Sequence, residues 1–106
     1  MAKYLTNFRY TPEGLEGLLK DGGTKRRQAT EQLIKSLGGK LDAYYFAFGY
    51  QDGYAILDLP DNISAAAASL AVNAAGGVTV SVTVLMTPEE VDQAVKRSVS
   101  YSPPGK

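Results

Sequence analysis

A chain of 106 residues holds one hydrophobic core and leaves no room for a second. Its 11 acidic and 11 basic residues cancel, so the electrostatic footprint of a nucleic-acid binder is missing and little charge repulsion opposes self-association. The lack of cysteine and histidine excludes disulfides, thiolate zinc sites, cysteine nucleophiles and the usual general base near neutral pH, which leaves Tyr, Asp, Glu, Lys, Arg or a bound cofactor for any catalysis.

Lys3 to Tyr10 alternates and is rich in aromatic residues, which predicts a strand. Tyr4, Thr6, Phe8 and Tyr10 share one face, and Lys3, Leu5, Asn7 and Arg9 the other. The segment Met1–Asn7 lacks the apolar core of a signal peptide. Thr11-Pro12-Glu13 opens a helix with a hydroxyl at the N-cap and proline at the first helical position. That helix carries Leu15, Leu18 and Leu19 and pauses at Gly22-Gly23. A longer helix is expected from Thr24 to Leu37, with Ala29, Leu33 and Leu37 on one face and Thr30 and Ile34 beside it. Gly38-Gly39 ends it, because glycine accepts the left-handed backbone of a helix C-terminus.

Leu41 to Phe48 and Tyr54 to Leu59 read as strands joined by a turn over Gly49–Gly53. Asp52-Gly53 is a common hairpin dipeptide, since both residues tolerate positive φ. Strict alternation puts Leu41, Ala43, Tyr45 and Ala47 on one face and Tyr44, Phe46 and Phe48 on the other. Pro60-Asp61-Asn62 stops the second strand and caps an alanine-rich helix, Ile63 to Ala75, whose small side chains let it lie close to a sheet while exposing little apolar area elsewhere. Its run from Ala65 to Ala75 is broken by Ser69 and Asn73 and is too short to span a bilayer, so the expected location is the cytoplasm, with no membrane partner. After Gly76-Gly77, Val78, Val80, Val82 and Val84 alternate with Thr79, Ser81, Thr83 and Leu85 as a further strand. Thr87-Pro88-Glu89-Glu90 has capping-box spacing, and the helix it opens is expected to turn Val91, Ala94, Val95 and Val99 inward. Tyr101 to Lys106, with Pro103-Pro104-Gly105, cannot continue a helix and reads as a flexible tail or a packing arm after one domain over residues 1–100.

Strand, helix, strand, strand, helix, strand, with an extra C-terminal helix, is the order of an α+β, ferredoxin-like βαββαβ domain. It predicts a four-stranded antiparallel sheet with its main helices on one face. Large apolar groups on both faces of the first three strands imply that a second copy covers the open face, as in a dimeric α/β barrel. The alternative is a monomer with partly exposed aromatic residues.

Tyr4-Leu5, Thr11-Pro12-Glu13-Gly14, Arg26 ahead of Ser36-Leu37-Gly38-Gly39-Lys40-Leu41, Tyr45, Phe48-Gly49, Asp52, Pro60-Asp61 and the alanine-rich helix follow in an order and spacing that resembles the GYD domain family almost end to end. The resemblance implies a ferredoxin-like, dimeric α/β-barrel type fold in a family whose biochemical role is not established. The name-giving tripeptide is not intact. Where members of the family tend to show Gly-x-Tyr-Asp, this chain has Gly49-Tyr50-Gln51-Asp52, with the tyrosine one position early. At a strand end that shift turns the ring to the opposite face.

Arg26 and Asp52 form the sharpest candidate pair for holding a ligand. The competing account makes Asp52 an Asx-turn residue and Arg26 a solvated or surface-paired helix residue. Tyr4, Tyr44, Tyr45, Tyr50 and Tyr54 are many phenols for a short span. Tyr45 and Tyr50 are the candidates for orienting an aromatic or carbonyl-bearing ligand, against plain interface or core packing. Proteins related to the resembled fold use such clefts for cofactor-independent oxidation or haem, but a histidine ligand for haem is absent here. Asp42 and Asp58 have strand positions compatible with a facing acid/base pair of raised pKa, although edge carboxylates are usually solvated. Lys25-Arg26-Arg27, flanked by Asp21 and Glu31, reads as an exposed helix face, and Gly22-Gly23-Thr24-Lys25 lacks phosphate-loop spacing. The expectation is a protein that self-associates, as a homodimer or higher homo-oligomer, and binds a small organic molecule in a sheet-lined cleft, with no metal and no cofactor. The alternatives are a cofactor-independent, oxygenase- or isomerase-like enzyme for an activated aromatic or ketonic substrate, using Tyr45 and Asp52, and a purely structural subunit.

Overall fold

Nine residues of alternating character, Ala2–Tyr10, form the first strand, β1, in a computed structural model that describes all 106 residues. The chain continues through helices α1 (Pro12–Asp21) and α2 (Gly23–Ser36), strands β2 (Lys40–Phe46) and β3 (Gly53–Leu59), helix α3 (Asn62–Ala75), strand β4 (Val78–Val84) and helix α4 (Pro88–Val95). The strands form one antiparallel sheet in the order β2-β3-β1-β4, as the ferredoxin-like reading requires.

Local chemistry sets the ends of the elements. The Thr11 hydroxyl accepts the Gly14 N–H and Pro12 sits in the first turn of α1. Gly22, at φ 81°, separates α1 from α2. Asp61 caps α3 by accepting the Ser64 N–H, and Gly76 closes it in the left-handed region. Near its C-terminus, α3 also closes part of the exposed edge of β4. The Asn73 amide accepts the Val80 N–H and donates to the Val80 carbonyl, removing one site for unwanted strand addition.

Pairing sets the faces of the sheet. Tyr4, Thr6 and Phe8 of β1 lie opposite Leu57, Ala55 and Gly53 of β3, and all six are buried beneath the helices. Ile34 of α2 and Ala65 of α3 close over that face. Tyr4 keeps its hydroxyl satisfied by donating to Asn62 Oδ1 at 2.7 Å.

Four details differ from the sequence reading. The β2–β3 register slips between Leu41 and Ala43, so Leu41 joins Tyr44 and Phe46 on the helix side instead of following Ala43 and Tyr45. A bulge absorbs one residue, and the alternation changes phase there. The hairpin does not use positive φ at Asp52-Gly53. Phe48 takes the left-handed conformation, at φ 54°, and stacks on Phe46, while a Cβ on Gly53 would lie 2.1 Å from the Phe8 ring. Gly53 is therefore required for close approach. Ile63 and Leu70 leave more apolar surface exposed on α3 than its alanine content suggests. Finally, Val91, Val95 and Val99 do not turn inward; all three are exposed, because α4 meets no substantial surface of its own chain.

The tightest helix contact is between Gly14 of α1 and the α3–β4 turn, where a Cβ would lie 1.8 Å from the Gly77 carbonyl oxygen. Backbone cannot yield there as a side chain would. Gly14→Ala is expected to cost about 1–3 kcal/mol. Gly17→Ala, in the same helix with no atom within 4 Å of the new methyl, is expected to gain up to about 1 kcal/mol. Urea denaturation of the two variants checks both signs.

Candidate ligand cavity

Across the helix side of the sheet, one row of residues is unusually small at its centre. Tyr44 of β2, Ala55 of β3, Thr6 of β1 and Val82 of β4 are neighbours in register. Above this row α3 presents Ala65 and Ala68. Small groups on both layers cannot fill the space, and a cavity of about 120 Å³ remains between the sheet, α2 and α3.

Most of its wall is aliphatic or aromatic, including Phe8, Leu33, Leu57 and Val80. The exceptions carry the chemistry. Thr6 is buried and its Oγ1 has no hydrogen-bond partner. Arg26 reaches the cavity from α2 with a buried, unpaired Nε and forms no ion pair. Thr30, one turn further along α2, bonds the Arg26 carbonyl. Ser69 of α3 adds another hydroxyl, and Tyr44 a phenol. Burial, and then the neighbouring Tyr10, push its phenol well above the ordinary range, so it stays protonated. An unmet buried polar group costs about 1–3 kcal/mol, so two of them at one small void form a site with unused hydrogen-bonding capacity.

A surface groove adjoins the cavity, and Tyr10, Arg26, Val72 and Val78 line both. Gly14, Gly17 and Asp21 form its α1 side, where the two glycines keep it open and Asp21 adds a carboxylate. Arg26 and Tyr10 therefore stand between the interior and the surface.

The four residues expected to hold a ligand do not meet in one place. Arg26 lines the cavity. Tyr45 faces the opposite side of the sheet, across from Tyr54, and is 71% exposed. Tyr50 lies in the β2–β3 loop rather than at a strand end, with its ring 83% exposed. Asp52 stitches that loop to β1: its Oδ2 accepts the Tyr10 N–H at 2.8 Å, and its own N–H donates to the Phe8 carbonyl at 2.8 Å. This is a cross-strand bond rather than an Asx turn, and Arg26 is not its partner.

Asp42 and Asp58 do come together, but around a cation. Lys3 Nζ bonds both carboxylates. The hydrogen bond from Lys3 holds the Asp42 carboxyl below its ordinary range, the reverse of the raised pKa an acid/base pair needs. No group of three or more carboxylates is placed to hold a metal ion, and no helix is long and apolar enough to cross a membrane.

Thr6 and Tyr44 were not singled out as a pair by the sequence. The available signal was a lone small residue, Thr6, in an otherwise aromatic inward series, Tyr4-Thr6-Phe8-Tyr10, combined with a helix rich in alanine. Each hints at missing volume; only the strand register shows that the two gaps coincide.

Two outcomes test these assignments. Asp52→Ala leaves the Tyr10 N–H without its acceptor and is expected to cost about 1–3 kcal/mol in chemical denaturation. Tyr44 acts through pH. Its folded pKa lies above the unfolded value of about 10, so its contribution is complete below that pH and is lost as pH rises beyond it. Thermal melts of Tyr44→Phe should therefore fall less steeply than wild type above about pH 10.

A comparison with curated proteins finds no match. The family model described as the GYD domain matches residues 4–95, from β1 to the end of α4. Because that match takes in all four helices and the sheet but for the first two residues of β1, the chain belongs to the GYD domain family.

Proposed function

We propose that this protein is a self-associating binding subunit that holds a small apolar acid between its sheet and helices. The observation that carries the reading is the coincidence of the void with the unpaired Arg26 Nε and Thr6 hydroxyl. A guanidinium that forms no ion pair, at a cavity whose wall holds no carboxylate (Asp21 lines only the adjoining groove), favours an anionic or carbonyl oxygen, and Thr6 lines the same void and can take a second polar atom. The aliphatic walls suit a compact hydrocarbon body. A void of about 120 Å³ is near the size of the roughly 150 Å³ apolar cavities that admit benzene, so the ligand is of the size of a benzoate or a branched short-chain acid.

Binding without chemistry fits this lining better than catalysis. No Asp or Glu lines the cavity, and Tyr44 holds its proton far above neutral pH, so the cavity offers no base in the range where an enzyme would use one. Self-association is read from the helix-free face, where Leu5, Ile56, Tyr54 and Tyr45 form an apolar patch that no element of the same chain covers.

Amide NMR titrations with benzoate and with toluene separate the parts of the ligand reading. Benzoate is expected to shift the resonances of Thr6, Ala65 and Val80, and Arg26→Gln to weaken benzoate at least about tenfold while leaving toluene unchanged. Equal binding of toluene and benzoate by wild type would reduce the site to an apolar void. No response to either compound would remove the ligand reading altogether.

A further inference from the structure

The chain exposes far more surface than its mass requires. Its accessible area is 7489 Å², whereas a folded monomer of 11.3 kDa exposes about 5,700 Å². Its radius of gyration is 17.0 Å and its longest dimension 57 Å, against a radius of about 13 Å for a compact domain of this length. The excess comes largely from one segment. Every residue from Met86 to Lys106 is exposed.

That segment is not irregular chain. Thr87 and Glu90 complete a reciprocal capping box, with Pro88 in the first turn, so α4 is a built helix. It is also amphipathic. Val91, Ala94 and Val95 share one side at helical spacing, while Glu89, Asp92, Gln93 and Lys96 lie around the rest. A short helix with an apolar side and no partner is marginal in water. Val95 is nevertheless 78% exposed, and Met86, Val99 and Tyr101 extend the apolar series on either side.

The same chain has an apolar surface without a cover. On the helix-free side of the sheet Leu5 pairs with Ile56, and Tyr54 with Tyr45. The polar Asn7 (opposite Tyr54), Arg9, and Thr79, Ser81 and Thr83 of β4 bound this patch on one side, and the Lys3–Asp42–Asp58 cluster bounds it at one end. The segment leaves the sheet at the end of β4, where the Leu85 N–H bonds the Lys3 carbonyl, and the elongated shape shows that it projects away from its own domain.

We infer that α4 and the residues after it form an arm that lies on the helix-free sheet face of a second copy, in a reciprocal exchange. The inference rests on the self-association reading above and adds the element that makes the contact. A second copy is the occupant the observations favour. One chain supplies both the apolar helix and the apolar face, a two-fold exchange satisfies both at once, and zero net charge opposes it little. The area agrees as well. An excess of about 1,800 Å² per chain doubles to a value within the roughly 2,000–5,000 Å² range of obligate homodimers.

The cysteine-free chain allows a direct test. Val95→Cys and Tyr54→Cys are made as separate full-length variants, mixed and oxidised, and the wild type is sized by sedimentation. A dimer at micromolar concentration, with an interchain disulfide joining the two variants, supports the exchange. A monomeric wild type overturns both the exchange and the self-association reading. An intrachain disulfide in the Val95→Cys/Tyr54→Cys double variant, at dilution and without dimer, shows the arm on its own face and overturns the exchange. Val91→Asp with Val95→Asp provides a second measurement, since both positions are already exposed in the single chain. It is expected to weaken dimerisation at least about tenfold without unfolding the domain. A dimer unchanged by those charges overturns the arm while leaving the sheet face as the contact.

Discussion

The pairing of β1 with β3 is the constraint on which the other features depend. These are the central strands, and their register sets every side chain of both to one face or the other. On the helix side it generates three rows across the sheet. One is aliphatic with Tyr4, running through Leu41, Leu57 and Val84; one is dominated by rings, with Phe46, Gly53, Phe8 and Val80; the row between them holds Tyr44, Ala55, Thr6 and Val82. The outer rows differ in how they fill their space. Phe8 occupies the room left by Gly53 and packs against Tyr44, Phe46 and Tyr10. The central row has no such large residue over Ala55, and α3 adds only alanine above it. The void follows from this sequence of sizes.

A gap in the packing of a small domain has an energetic consequence. Wall atoms with no neighbour on one side lose their dispersion contacts, and the space of about 120 Å³ between α2 and α3 leaves much of its apolar wall in that state. Keeping small residues there, beside a buried arginine nitrogen and a hydroxyl that both lack partners, makes sense where a ligand completes the packing and the hydrogen bonds together.

The parts of the fold governed by near neighbours were legible from the residues. Period-2 alternation located β1 and β4, and hydroxyl and proline caps placed the starts of α1 and α4 within a residue. What escaped depends on partners distant in sequence. The slip at Asp42 is defined only by what lies opposite it in β3. Asp52 looked like a turn residue because its neighbour is glycine, yet its carboxylate answers Tyr10, 42 positions away in the chain. Arg26 looked solvated because Lys25 and Arg27 are, but a helix turns neighbouring residues about 100° apart, and that rotation carries Arg26 alone of the three to the cavity. Periodicity also identified the apolar side of α4. It could not show that this side has nothing in its own chain to pack against.

The two faces of the sheet divide the proposed tasks. The cavity lies under the helices, and the proposed association surface lies on the other side, so no side chain serves both. They are still only one residue apart along the same strand: Thr6 points into the cavity, while Leu5 and Asn7 point outward. A ligand that draws Thr6 toward it acts on the backbone that also carries Leu5 on the face proposed to meet a second copy. The β1–β3 hydrogen bonds resist that movement, and on the far side of β1 the capped edge of β4 does the same. The strand pair that frames the void thus also carries the uncovered apolar face, as β2 does through the adjacent Tyr44 and Tyr45.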